Sequence, residues 1–175
     1  MKNKILSIIT IFGCITTLNA GDSNHYLSII GGGLKFDRTV QKTENGIEKE
    51  YTKVAVGGFN YTLLKEIGDS PIVLGVRPEI IFDDRDIHED GFINVSFLAG
   101  TKINDFSIYG NYGVGLSSII SRGKTYGLTA RYDFTKNFSA AVSYNVYKMD
   151  GLDSIFTDAN EYKAKGTLAN LSLKF

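Results

Sequence analysis

Arginine and carboxylate recur at a spacing of two in this chain, as Arg77-Pro78-Glu79 and again as Arg131-Tyr132-Asp133. On an extended backbone, residues two apart share a face, so each pair sets a cation beside an anion. Such pairs build a buried ion-pair network if the shared face is sealed, or a charged gate if it is open. A second group, Asp83-Asp84-Arg85-Asp86-Ile87-His88-Glu89-Asp90, is densely acidic. Asp84, Asp86, Glu89 and Asp90 could hold a divalent cation weakly. The run lacks the spaced ligands and central glycine of a dedicated calcium loop, and a solvated loop is the simpler reading. His25 and His88 are the two histidines, and Ser117-Ser118 could approach the second, but nothing in the sequence fixes that contact. Gly31-Gly32-Gly33 lies within a strand pattern with no helix after it, so it is no phosphate loop. The sequence calls for no metal and no cofactor.

The elements that must position these residues are strands. Eight β segments are expected, at about His25–Phe36, Tyr51–Leu64, Ile72–Asp83, Phe92–Ile103, Phe106–Ile119, Thr125–Phe134, Phe138–Lys148 and Tyr162–Phe175. All are roughly 10 to 14 residues long, against about five or six in soluble domains and about 9–11 for a tilted membrane strand. The connections alternate. Asp37–Glu50, Asp84–Gly91 and Met149–Glu161 are long and polar, whereas Asn104-Asp105 and Thr135-Lys136-Asn137 are tight turns. Asn and Asp tolerate the positive φ of a two-residue hairpin. Pro78 falls inside the third strand, where it removes a ladder donor, so a bulge or a broken ladder is expected there.

Alternation sorts the faces. In the seventh strand Phe138, Ala140, Val142, Tyr144 and Val146 share one side, and Ser139, Ala141, Ser143 and Asn145 the other. In the sixth, Tyr126, Leu128, Ala130, Tyr132 and Phe134 oppose Gly127, Thr129, Arg131 and Asp133. In the third, Ile72, Leu74, Val76, Ile80 and Phe82 oppose Arg77 and Glu79. One face is aliphatic and aromatic, the other small, polar and charged. Strand length favours a membrane barrel, so we read grease outside and a polar interior, the reverse of a soluble carrier. Aromatic residues gather at the strand ends. Tyr26, Tyr61, Phe106, Phe134, Phe138 and Phe175 would form one girdle, and Phe36, Tyr51, Phe82 and Tyr126 the other.

Composition agrees. Tyr and Phe number 10 and 11, Gly 19 and Pro only 2, a β-rich profile. The N-terminus reads as a secretory signal over residues 1–20: basic Lys2 and Lys4, apolar Ile5 to Ile15, and Ala20 before Gly21. Lipidation at Cys14 is the rival, weakened by bulky Phe12 and by apolar sequence continuing past the cysteine. Without that segment the chain has no cysteine, and its 17 basic and 19 acidic residues give a net charge of −2. No basic excess points to nucleic acid. No apolar run after the signal is long enough for a membrane helix, which leaves the closed barrel as the way to satisfy every backbone group in lipid.

The last strand ends Leu171, Ser172, Leu173, Lys174, Phe175, apolar at alternate positions with a terminal aromatic. This resembles the closing strand of small bacterial outer-membrane β-barrels of the OmpA/OmpX-like, porin-superfamily kind. The resemblance implies an eight-stranded antiparallel up-and-down transmembrane β-barrel over residues 21–175, with no further domain after it. It also implies that Leu171, Leu173 and Phe175 are read by the barrel-assembly machinery. Lipid and lipopolysaccharide would surround the wall, and the outer loops would meet an extracellular partner in a structural or adhesin-like role. A narrow porin-like channel is the alternative. Some barrels of this size modify lipid A with a rim histidine; here His25 lies at the wrong end, and His88 has no fixed partner, so no enzyme is expected.

Overall fold

In the computed structural model, which describes residues 23–42, 46–83, 92–117, 122–150 and 159–175, eight antiparallel strands close into one barrel. Side chains at 36–52, 83, 92, 116–117, 122, 149–150 and 159–162 lie outside the described set. The strands are β1 (Ser23–Lys42), β2 (Gly46–Glu66), β3 (Ile72–Asp83), β4 (Phe92–Ile103), β5 (Phe106–Ser117), β6 (Arg122–Asp133), β7 (Phe138–Asp150) and β8 (Ala159–Lys174). Each pairs with its sequence neighbours, and β8 returns to β1. The expected signal at 1–20 lies outside the described residues.

The stagger of the ring follows from its registers. One row of paired residues starts at Leu63 on β2 and passes through Val76, Phe97, Tyr112, Tyr126 and Val146. It continues through Lys165 and Lys35 and returns to β2 at Lys53, ten residues from its start. With strands about 4.8 Å apart and about 3.3 Å of rise per residue, that shift tilts the strands by about 40°.

Faces fall as the alternation requires. Leu171, Val142, Phe97 and Leu128 are exposed outward, while Arg77 and Arg131 are 2% exposed. The Asn104-Asp105 turn forms between Ile103 and Phe106, with Asn104 at φ 55°. At Pro78 the β2–β3 ladder is interrupted. Pairing runs to Asn60↔Glu79 and resumes at Leu63↔Val76 in the same register, so the ladder breaks without a bulge. On its other side Pro78 keeps its place opposite Val95.

Three expectations change. The first connection is not a loop over 37–50, because β1 and β2 continue as a paired hairpin to Lys42↔Gly46. Thr39, Val40 and Ile47 favour extended chain, and outside a bilayer two strands still satisfy each other. Tyr26 does not belong to a girdle; it is wholly buried in the lumen. The lumen is also less polar than expected. Ile30, Leu34, Val54, Val56, Ile81 and Leu168 form one buried apolar cluster, with Tyr147 and Ala164. These lie on β1, β2, β3, β7 and β8, and the glycine-rich centres of β1 and β2 had left their parity unreadable.

An arginine at Val142, exposed in the middle of β7, should lower folding stability in lipid vesicles by about 2–4 kcal/mol. Denaturant unfolding of the vesicle-inserted barrel measures it.

Candidate functional site: the charged lumen

Strand alternation aims Arg77 and Glu79 of β3 and Arg131 and Asp133 of β6 into the barrel, and all four are buried. They form two networks rather than one. In the first, Arg77 Nε lies 3.6 Å from Glu79 Oε2. Glu79 Oε1 accepts from Asn94 Nδ2 at 2.9 Å and from the Tyr147 hydroxyl at 3.3 Å. Arg77 Nη1 donates to Thr129 Oγ1 at 3.2 Å. Thr129 then donates to Ser143, to which Asn170 also donates. Asn170 accepts from Asn60 at 3.0 Å. β3 is thus tied across the lumen to β6 and β7, and β2 to β8.

The second network surrounds Arg131. Its Nε donates to Tyr109 at 3.2 Å, and its Nη1 to Ser139 at 3.0 Å and Ser172 at 3.3 Å. The guanidinium sits 3.9 Å from the Tyr26 ring centroid, a desolvated cation–π contact. Tyr26 in turn donates its hydroxyl to Asp133 Oδ2 at 3.2 Å. The ion-pair partner of Asp133 is Lys174 on β8, not Arg131. Spacing placed Arg131 and Asp133 on one face, and Tyr26 lies between them, its ring against Arg131 and its hydroxyl donating to Asp133. Alternation from Asn145 and Ser172 could have added Tyr147 and Lys174 to the site.

Close packing reaches the backbone. Gly127 sits in register between Asn111 and Asn145, and a Cβ there would lie 2.2 Å from Asn145 Oδ1 and 2.3 Å from the Tyr144 carbonyl. Some polar atoms nevertheless lack a protein partner. Arg77 Nη2, Asn94 Oδ1 and both amide atoms of Asn111 are buried and unbonded. Buried polar atoms of this kind are ordinarily satisfied by water.

The other sequence candidates lie apart. Leu171, Leu173 and Phe175 are exposed on the outer face of β8. Phe175 exchanges backbone hydrogen bonds with His25 at 3.1 and 3.3 Å, completing the seam. It stacks on the His25 ring at 5.9 Å, and His25 is hydrogen-bonded to Tyr61. Asp84, Asp86, His88, Glu89, Asp90 and Ser118 fall outside the described residues, as does the Ser117 side chain. Among the described residues no group of three His, Cys, Asp or Glu could hold a metal ion.

No protein-family signature matches the chain, and no curated protein matches it. Solved structures do. Neisserial surface protein A aligns over 86% of this chain and 97% of its own, with 10% identity and a TM-score of 0.55. The Ail attachment invasion locus protein of Yersinia pestis aligns over 88% and 99%, with 20% identity and a TM-score of 0.48. OprG of Pseudomonas aeruginosa aligns over 86% and 95%, with 13% identity and a TM-score of 0.41. At these identities the likeness to Neisserial surface protein A is one of fold.

Replacing Glu79 by Leu should cost about 3–5 kcal/mol, because Arg77 keeps its charge in a buried site without its anion. Pairing that change with Arg77→Met should cost less than Glu79→Leu alone. Unfolding midpoints of the three proteins in vesicles check both outcomes.

Proposed function

We propose, from the premise that this chain is a small outer-membrane β-barrel, that it is a sealed scaffold presenting a projecting sheet to a partner outside the cell. The premise stands on the wall itself, apolar outward and charged inward, closed without an edge. The observation that carries the proposal is the length of the first hairpin. β1 and β2 have 20 and 21 residues and stay paired from Ser23↔Lys65 to Lys42↔Gly46. Among the described residues β2 pairs with β3 from Val56↔Asp83 downward, and the ten β2 residues Gly46 to Ala55 continue as strand paired with β1. At about 3.3 Å each they make about 30 Å of strand. β8 accompanies β1 as far as Val40↔Ala159, with a register shift between Thr39 and Val40. β7 in turn accompanies β8 as far as Asp150↔Glu161, and the sequence of the extended β1–β2 hairpin is charged, with Asp37, Arg38, Glu48, Lys49 and Glu50.

The lumen supports the sealed reading. Eight strands leave a bore just wide enough for side chains, and here cross-barrel hydrogen bonds occupy it. A narrow channel is the second reading, favoured by the unbonded buried atoms of Arg77 and Asn111, which imply some water inside. The role of Leu171, Leu173 and Phe175 in assembly belongs to the same proposal.

Expression in a non-adherent Gram-negative strain should raise attachment to epithelial cells several-fold. A variant with 37–50 replaced by a two-residue turn should lose the gain while keeping heat-modifiable gel mobility. The wild type should give no stepwise conductance in planar bilayers. Conductance abolished or altered by Arg77→Ala or Arg131→Ala, with no change in attachment, would establish the channel instead.

A further inference from the structure

The outer wall holds a feature that neither the lumen nor the projecting sheet uses. A groove of roughly 730 Å³ runs in the lipid-facing surface across β3 to β7. Its floor is Ala99 and Gly110, opposite each other in the ladder. Phe97, Tyr112, Leu128 and Tyr144 stand around it. Val146, in register with the outward Tyr126, also lines the groove and is 8% exposed.

Above the groove lie lysines. Two residues from Tyr126 and Val146, toward the outer end, Lys124 and Lys148 are paired across β6 and β7. Lys124 is exposed, and Lys148 Nζ lies 6.0 Å from the Tyr126 ring centroid. The same row continues to Lys163 on β8, and the row below it to Lys165, Lys35 and Lys53. The tilted ladder climbs about 3 Å per strand, which brings all six lysines into a band about 8 Å tall. That band begins about 25 Å above the ring of Phe106, Phe134 and Phe138, the height of the apolar belt of an outer-membrane barrel. Among the described side chains no carboxylate faces outward in the band. Glu66, Asp69 and Asp105 lie at the short-turn end, and Glu79 and Asp133 in the lumen. Asp37, in register with Lys163, has its side chain outside the described set.

A hydrocarbon groove beneath paired ammonium groups at headgroup level is complementary to a phosphorylated lipid. We propose that β4–β7 bind one lipid A moiety of lipopolysaccharide, with a phosphate on Lys124 and Lys148 and an acyl chain over Ala99 and Gly110. The band stands at the outer leaflet, and the row Lys124, Lys148 and Lys163 suits a headgroup with more than one phosphate. This rests on the outer-membrane premise and is independent of the partner met by the projecting sheet, so attachment assays and lipid binding can fail separately.

The test uses the full barrel in phosphatidylcholine nanodiscs, with lipid A retention read by native mass spectrometry. Gly110→Leu fills the groove without moving backbone, since a Cβ there meets its nearest atoms at 3.8 and 3.9 Å. Lys124→Glu with Lys148→Glu reverses the charge, and the Gln pair serves if the reversal does not fold; Ala99→Leu is the second groove variant. Each change should weaken lipid A binding by about tenfold. Dephosphorylated lipid A should bind the wild type as weakly as lipid A binds the charge-reversed protein. Salt should weaken binding to Gly110→Leu but not to the charge-reversed protein. Phosphatidylglycerol held as tightly as lipid A, or wild-type retention in Gly110→Leu, would overturn the proposal. So would a dimer that Gly110→Leu converts to monomer, which would make the groove a contact between copies.

Discussion

Hydrocarbon offers no hydrogen-bond partner, and every other feature of this barrel follows from that. An unpaired N–H or C=O in lipid costs several kcal/mol, so the sheet has to close on itself. Here β8 returns to pair with β1, and Phe175 and His25 exchange backbone hydrogen bonds along that seam. Once the ring is closed, alternation leaves no choice of faces. Residues such as Leu171 and Phe97 meet lipid, and their neighbours Ser172 and Leu98 fill the bore.

The bore then sets the second constraint. Arg77, Glu79, Arg131, Asp133 and Lys174 cannot keep their full hydration in so narrow a space, and each is held by a partner on another strand or beside it. Two devices share the work. Polar side chains knit β3 to β6 and β7, whereas the apolar cluster around Leu34, Val56 and Leu168 packs the side formed by β1, β2 and β8. The apolar side includes the long β1–β2 hairpin, which stays paired to Lys42↔Gly46.

Much of this was legible in the residues. Eight strands, their order, the inward aim of both arginine–carboxylate pairs, the Asn104 turn and the broken ladder at Pro78 all follow from alternation and turn chemistry. What failed to show has physical causes. Gly31-Gly32-Gly33 and Gly57-Gly58 carry no side chains to reveal parity, so the aliphatic lumen of β1 and β2 was hidden. Tyr26 lies near a strand end, where a girdle and a lumen position look alike in sequence; its ring is inside with Ser28 and Ile30, and Arg131 lies over it. The length of the β1–β2 hairpin was missed because charged residues read as loop, although paired strands outside lipid accept charge freely. Lys174 as the partner of Asp133 depends on the register of β8 against β7, which one sequence does not contain.

The central claim is the direction in which the two faces point, and the chain contains no tryptophan to confuse an optical test of it. Single tryptophans at Phe97, 70% exposed on the wall, and at Tyr109, wholly buried in the bore, can be compared in vesicles containing brominated lipid. The account predicts strong quenching of Phe97→Trp and little of Tyr109→Trp. Quenching of Tyr109→Trp with Phe97→Trp spared would contradict it.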